Sequence, residues 1–173
     1  MVRGYLLVDG YNIIFAWEEL AKLAADSIGG ARQKLCDILC DYQGLSGLAV
    51  IVVFDAHLVE GGTGSVEEYH NITVVYTKEA ETADHYIEQT ASALSKIDKV
   101  IVATSDNLEQ VIILSQGAQR MSAGDLMENI QHEKAKIREK YVDTRPAKNN
   151  PLSGLLDAET AKKLDAMRYG GRN

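Results

Sequence analysis

Residues 5–12 read Tyr-Leu-Leu-Val-Asp-Gly-Tyr-Asn, and this stretch sets the architecture that the rest of the chain follows. A continuous apolar run of this length is typical of a strand buried on both faces of a parallel sheet. Asp9 ends the run, and a charge there costs several kcal/mol to bury unless it is paired or bound to a cation. The ordinary alternative is an aspartate that starts a turn with Gly10.

Three more acids stand at the ends of similar runs. Asp55 follows residues 49–54, Asp84 follows the run 71–76 by a few residues, and Asp106 follows residues 100–105. The carboxyl ends of parallel strands gather at one edge of an open sheet, and ligands bind there. Carboxylates brought together repel one another unless a cation joins them. The pattern therefore indicates a divalent-metal site and phosphate chemistry.

The chain alternates between strand-like and helix-like segments. Strands are predicted at 2–9, 48–54, 72–76, 99–103 and 117–121. Helices are predicted at 12–23, 31–43, 82–95, 106–115, 122–141 and 155–169, with Thr82 and Ser122 as N-caps. Residues 56–70 are predicted to be a loop and residues 144–153 a linker. This order favours an α/β fold, a three-layer α/β/α sandwich with a mostly parallel sheet of four to five strands and additional C-terminal helices.

Length and composition favour a single globular domain with a substantial core. The chain has 173 residues, of which 46% are hydrophobic and 25% charged. Its apolar runs are only strand-length and its N-terminus lacks signal-peptide features, so we expect no membrane partner and a cytoplasmic location. Cys36 and Cys40 lie one helical turn apart and are expected to be buried thiols.

Charge is distributed unevenly along the chain. The net charge is −7, yet residues 131–150 hold 6 basic against 3 acidic residues, while residues 1–130 hold 8 against 19. An acidic body repels nucleic acid, because phosphate contacts dominate that affinity. RNA or ribosome binding is predicted for a set of basic residues, although a solvated helix face is the bland alternative. These are Lys78, Lys134, Lys136, Arg138, Lys140, Arg145 and Lys148.

Several known sites are excluded by missing motifs. The chain has no G-x-x-x-x-G-K-[ST] phosphate loop and no G-x-S-x-G nucleophile elbow. No G-x-G-x-x-G follows a strand, so no dinucleotide cofactor is expected, and no Cys/His spacing indicates zinc. Asn12 is a further candidate, either orienting Asp9 or contacting a phosphate, unless it merely caps a helix.

The motifs at residues 6–13, 52–57, 77–84, 102–106 and 116–123 resemble those of NYN-domain proteins in the PIN-like nuclease superfamily. The similarity is strongest to the YacP-like group, which includes a ribosome-associated endoribonuclease that acts on messenger RNA in the ribosomal A site. The resemblance implies strand order 3-2-1-4-5, a nuclease domain over residues 1–141, and a linker and tail over residues 142–173.

The resemblance also implies a function. It implies a Mg²⁺- or Mn²⁺-dependent endoribonuclease that hydrolyses single-stranded RNA, with messenger RNA and the ribosome as partners. Asp9, Asp84 and Asp106 would be the metal-binding acids, with Asn12 and Asp55 beside them. In the expected mechanism Asp9 and Asp106 hold the ion, Asp84 completes its shell or orients the attacking water, and Asp55 is an outer acid.

Two other classes stay open. One is a non-catalytic ribosome- or RNA-binding module that uses the same acids only for structural water or metal. The other is a receiver-like phosphoacceptor domain, which needs an adjacent acidic pair after the first strand and a lysine ending the fifth. Asp9 is followed by Gly10, and the predicted fifth strand carries Arg120 instead, so this class is disfavoured.

Overall fold

A computed structural model describes residues 3–55, 63–106 and 117–143. Over these residues the chain forms an α/β sandwich around one six-stranded sheet, which confirms the predicted fold class. The strands are β1 Tyr5–Asp9, β2 Ala49–Phe54, β3 Thr63–Tyr69, β4 Ile72–Lys78, β5 Val100–Ala103 and β6 Gln119–Met121. The helices are α1 Gly10–Ala16, α2 Glu18–Asp26, α3 Ile28–Ser46, α4 Ala83–Leu94 and α5 Ala123–Asp143.

The strand order is β3-β4-β2-β1-β5-β6. Five strands are parallel to their neighbours, and only β3 runs antiparallel, against β4. The parallel strands keep the expected 3-2-1-4-5 order, so the resemblance placed them correctly. Their carboxyl ends therefore lie along one edge, and β1 is in the middle of the sheet.

The extra strand β3 corrects the prediction of a loop over residues 56–70. Residues 63–69 pair with β4 through the backbone and form the sheet's outer edge. Val66 is 66% exposed and the exposed Glu67 and Glu68 follow it, so most of the strand faces solvent and only Tyr69 packs against the core. An edge strand held by main-chain pairing leaves no apolar alternation in the sequence, and this is why it was missed.

Alternate residues of β1 build the two sides of the sandwich. Leu6 and Val8 pack into a core shared with α1, α3 and the start of α5. Leu7 faces the other side, where it joins a second core that includes Ile87 of α4. The central strand is thus buried on both faces, as its unbroken apolar sequence predicted.

The predicted helix 12–23 is wrong in one respect, because the structure divides it at Trp17. This residue is buried in an extended conformation between α1 and α2, and its indole N–H donates to the Ala123 carbonyl over 2.8 Å. Burial of the large ring and its hydrogen bond outweigh the helical tendency of the flanking residues.

The predicted N-caps are confirmed. The Thr82 side chain accepts the N–H of His85, and the Ser122 hydroxyl accepts the N–H of Asp125 over 3.1 Å. The structure extends α3 to Ser46, three residues beyond the predicted end, and Gly47 ends it in the left-handed region at φ 72°. Cys36 is buried, and neither it nor Cys40 forms a disulfide.

Some predictions fall outside the described residues. They are the helix at 106–115 beyond its first residue, the linker at 144–153, the helix at 155–169, Arg145 and Lys148. The compact unit that holds the sheet ends at Ala135. Within residues 3–55, 63–106 and 117–143, no helix is long and apolar enough to cross a membrane.

Candidate metal centre and active site

Asp9 lies at the carboxyl end of the central strand and is only 8% exposed. It is also the N-cap of α1, where its Oδ1 accepts the N–H of Asn12 over 3.2 Å. Gly10 makes this abrupt strand-to-helix junction possible, because a Cβ at that position would overlap the Phe54 ring. The Asp-Gly sequence at the end of β1 therefore places the nearly buried Asp9 carboxylate at the edge of the sheet.

Electrostatics show that the four predicted acids act on one another. Burial raises the pKa of Asp9 from 3.8 to about 6, the Asn12 N–H opposes this, and the negative charges of Asp84, Asp106 and Asp55 raise the pKa further. Partial desolvation raises the pKa of Asp84 too, followed by the charges of Asp106 and Asp55. The fold thus brings four mutually repelling carboxylates into one region, as the sequence predicted.

Asp55 is tied to the backbone of a different element. Its Oδ2 accepts the N–H of Ala83, the first residue of α4, over 3.3 Å. Asp84 is the next residue along that helix. The half-buried Asp55 therefore connects the end of β2 to the first turn of α4, which carries Asp84. No sequence pattern predicted this contact.

Asn12 makes a similar connection on the other side of the site. Its Oδ1 accepts the N–H of Ser105 over 2.5 Å, and the Thr104 hydroxyl accepts the N–H of Asp106 over 3.1 Å. The alternative in which Asn12 merely caps a helix is wrong, because Asp9 holds that position. The Asn12 side chain instead joins α1 to the segment that leads into Asp106.

The donor chemistry fits a hard divalent cation. Asp9, Asp84, Asp106 and Asp55 supply only carboxylate oxygens, and Mg²⁺ and Mn²⁺ prefer oxygen ligands. In the described part of the chain, no three such side chains converge closely enough to form a ligand set on their own. This spacing is compatible with Mg²⁺, which usually keeps several waters and binds through one or two carboxylates.

Five of the seven predicted basic residues lie in the described part of the chain. Lys78 is exposed at the end of β4, and the described members of the C-terminal set are exposed along α5. With about 100° between successive helix residues, Lys134 and Arg138 share one side of the helix and Lys136 and Lys140 share nearly the opposite side. Lys134 Nζ lies 3.8 Å from a carboxylate oxygen of Asp41.

Comparison with known proteins places this chain in the nuclease-like NYN class. The sequence profile of the YacP-like NYN domain matches residues 6–169, and the chain belongs to this family. The family's nuclease-like character gives the protein a nuclease-type, RNA-related function at the level of class.

The relatives cover nearly the whole chain. The protein is 42% identical over 169 residues to the uncharacterized protein YacP of Bacillus subtilis, covering 95% of this chain and 96% of that protein. The crystal structure of Rae1 (YacP) from Bacillus subtilis is 42% identical, with a TM-score of 0.68 and coverage of 96% and 95% of the two chains. A point mutant of Rae1 gives a TM-score of 0.70 at 38% identity, covering 95% and 99%. The resemblance seen in the sequence is confirmed.

Proposed function

We propose that this protein is a Mg²⁺- or Mn²⁺-dependent endoribonuclease that hydrolyses phosphodiester bonds of single-stranded RNA, with messenger RNA on the ribosome as its substrate. The observation that carries the proposal is the electrostatic coupling of four carboxylates at one edge of the sheet, with Asp9 almost buried among them. Such an arrangement is costly for a folded chain unless a cation compensates the charge.

In this proposal Asp9 and Asp106 hold the ion directly or through ordered waters, and Asp84 completes the site or orients the attacking water. When bound, the ion supplies charge stabilisation at a phosphoryl oxygen and lowers the pKa of a coordinated water. Hydrolysis by this route leaves a 5′-phosphate and a 3′-hydroxyl. The RNA 2′-hydroxyl takes no part, so any preference for RNA over DNA comes from binding.

Asn12 and Asp55 act by positioning. Asn12 fixes the Ser105 backbone beside Asp106, and Asp55 fixes the Ala83 backbone beside Asp84. Each bond holds a carboxylate-bearing segment to a neighbouring strand or helix. Asp55 therefore contributes to the outer part of the site, and its loss is expected to disturb Asp84 more than it disturbs Asp9.

Substrate capture is assigned to a different part of the chain. The acidic residues 1–130 oppose the approach of free RNA, whereas residues 131–150 carry a net positive charge. We propose residues 1–141 as the nuclease domain and residues 142–173 as a linker and tail. The ribosome is a large anionic surface that presents single-stranded message. The net positive charge of residues 131–150 is opposite to that of the ribosome and would favour binding to it.

The test is cleavage of ribosome-bound message by the wild type and by Asp84→Asn, with and without Mg²⁺ or Mn²⁺. The proposal expects cleavage only by the wild type with the metal. Equal activity in all four conditions contradicts a metal-dependent nuclease. Tight ribosome binding without cleavage in any condition would favour the non-catalytic binding module.

A further inference from the structure

Phe15 has a large apolar side chain that is not packed into the hydrophobic core. It is 57% exposed on α1, whereas Ile13 and Ile14 beside it are fully buried. A single exposed apolar residue on a protein surface is ordinary. Phe15 differs because of the helix that carries it and the residues that support its ring.

The Phe15 ring rests on a rigid aromatic support. It stacks on Tyr11 with 6.4 Å between ring centroids and 26° between ring planes. Tyr11 is itself buried against the Phe54 ring at 5.1 Å, and its hydroxyl accepts a hydrogen bond from Arg32 Nη1 over 2.9 Å. Little conformational entropy is left for Phe15 to lose when another flat group packs on it.

Phe15 lies on the same short helix as Asn12, and Asp9 caps that helix at the edge of the sheet. Asp9 caps α1, and Phe15 lies six residues further on, which is about 9 Å along a helix axis. Phe15 and Asn12 are three residues apart, so they lie on the same side of the helix, about one turn from each other. About 9 Å corresponds to two or three stacked bases at roughly 3.4 Å per step.

We propose that Phe15 is a stacking platform for a base of the single-stranded RNA substrate, a few nucleotides from the phosphate that would be cleaved at the proposed metal site of Asp9, Asp84 and Asp106. The inference rests on the proposed ribonuclease function and adds a substrate-positioning residue to it. Every base has an aromatic face, so this contact fixes the path of the strand without selecting its sequence. It also offsets part of the repulsion between the acidic body and RNA, because stacking does not depend on charge.

A neighbouring protein is the other conceivable partner for an exposed phenylalanine. RNA is favoured because the ring shares its side of α1 with Asn12, whose side chain holds the backbone next to Asp106. By contrast, Ile97 is 77% exposed but lies in the connection before β5, at the amino end of that strand and so away from the acidic edge. Ile97 therefore serves as a matched control for loss of exposed apolar surface.

The experiment measures binding, so it does not depend on cleavage. Asp84→Asn is used as the parent at low ionic strength with Mg²⁺, and the probe is an oligouridine that carries one fluorescent adenine analogue, moved one position at a time. We expect the fluorescence of the analogue to be quenched when the probe binds. Phe15→Leu should abolish this quenching and weaken binding by about 5- to 100-fold, the equilibrium equivalent of stacking one base on an aromatic ring. Phe15→Trp should retain both, and Ile97→Ala should change neither.

Two results would overturn the assignment. One is a parent protein that binds the probe with no quenching at any position of the analogue, and the other is a Phe15→Leu variant whose quenching and affinity equal those of the parent. Either result combined with metal-dependent cleavage by the wild type removes only the Phe15 proposal. A Phe15-dependent stack in a protein that never cleaves RNA would instead remove the nuclease proposal and leave an RNA-binding site.

Discussion

Asp9 and Asp55 end two neighbouring parallel strands in the same sequence context, yet the structure gives them different surroundings. Asp9 pairs in register with Val53, so Asp55 lies two residues beyond it along the sheet edge. Asp9 is nearly buried, caps α1 and has a raised pKa, whereas Asp55 is half-buried and accepts the N–H that begins α4. The same sequence pattern has therefore produced a nearly buried carboxylate, which we propose binds a cation, and a carboxylate that accepts a backbone hydrogen bond from α4.

Asp9 and Asp55 differ in their surroundings because their strands hold different positions in the sheet. β1 lies between β2 and β5, and α1 begins directly after it, so the Asp9 carboxylate is enclosed on several sides. β2 lies one strand further out, and the Asp55 carboxylate reaches across to α4. We therefore expect cleavage to depend most on the charge at Asp9. At Asp55 we expect cleavage to depend more on the hydrogen-bond acceptor than on the charge.

The largest effect is expected from Asp9→Asn. It removes a proposed metal ligand, and we expect cleavage to fall by about 10³-fold or more, since metal catalysis supplies several kcal/mol of transition-state stabilisation. The same change should stabilise the metal-free protein at pH 7, because a poorly solvated charge is lost. Cleavage rates and urea unfolding measure the two effects. Asp26→Asn, at an exposed position in α2, is the matched control and should change neither.

The pH dependence of stability should report on the nearly buried Asp9 carboxylate. The folded-state pKa of Asp9 is raised from 3.8 to about 6, so the folded protein binds the proton more tightly than the unfolded chain. This contribution is fully present below about pH 4 and is lost as the pH rises to about 6, a decrease of about 3 kcal/mol. Urea unfolding of the metal-free wild type should show this decrease. A profile for Asp9→Asn parallel to that of the wild type would show that another group is responsible.

At Asp55 the hydrogen bond should matter more than the charge. Asp55→Asn keeps an oxygen that can accept the Ala83 N–H, so we expect cleavage within a few-fold of the wild type. Asp55→Ala removes the acceptor and should lower the cleavage rate by about 10-fold, because one hydrogen bond to a charged group contributes about 1.5 to 3 kcal/mol at most. Comparison of kcat for the two variants measures the distinction. Equal losses would mean that the Asp55 charge itself acts in the site.

The smallest effects are expected on α5, where charge serves capture. We expect Lys136→Ala with Lys140→Ala, and separately Lys134→Ala with Arg138→Ala, to weaken ribosome binding and reduce its salt dependence while the rate at saturation stays unchanged. The two pairs lie on nearly opposite sides of the helix, so one pair should have the larger effect. Ribosome co-sedimentation over a range of salt concentrations measures this. A lower saturating rate with unchanged binding would place these residues in catalysis.

The sequence predicted the parts of this fold that depend on local pattern. Unbroken apolar runs identified the parallel strands, and Thr82 and Ser122 were found because capping follows simple chemistry. The edge strand β3 was missed because main-chain pairing needs no apolar pattern. The break at Trp17 was missed because it depends on Ala123, which is distant in sequence.

The candidate site was predictable to a similar extent. Strand-end position singled out Asp9, Asp55, Asp84 and Asp106 as candidates, and in the fold their charges act on one another. The positioning contacts of Asp55 and Asn12 were not predictable from sequence. Asp55 accepts the N–H of Ala83 and Asn12 accepts the N–H of Ser105, and these partners are 28 and 93 residues away along the chain. Phe15 could have been noticed from its spacing to Tyr11 and Asn12, but its exposure is visible only in the structure.

The most direct measurement is the affinity of the protein for Mn²⁺, read by electron paramagnetic resonance at pH 7 for the wild type, Asp9→Asn and Asp55→Asn. The prediction is one class of tight site in the wild type, loss of that site in Asp9→Asn, and an affinity within a few-fold of the wild type in Asp55→Asn. Equal Mn²⁺ binding by the wild type and Asp9→Asn would contradict the assignment of the acidic edge as a metal centre.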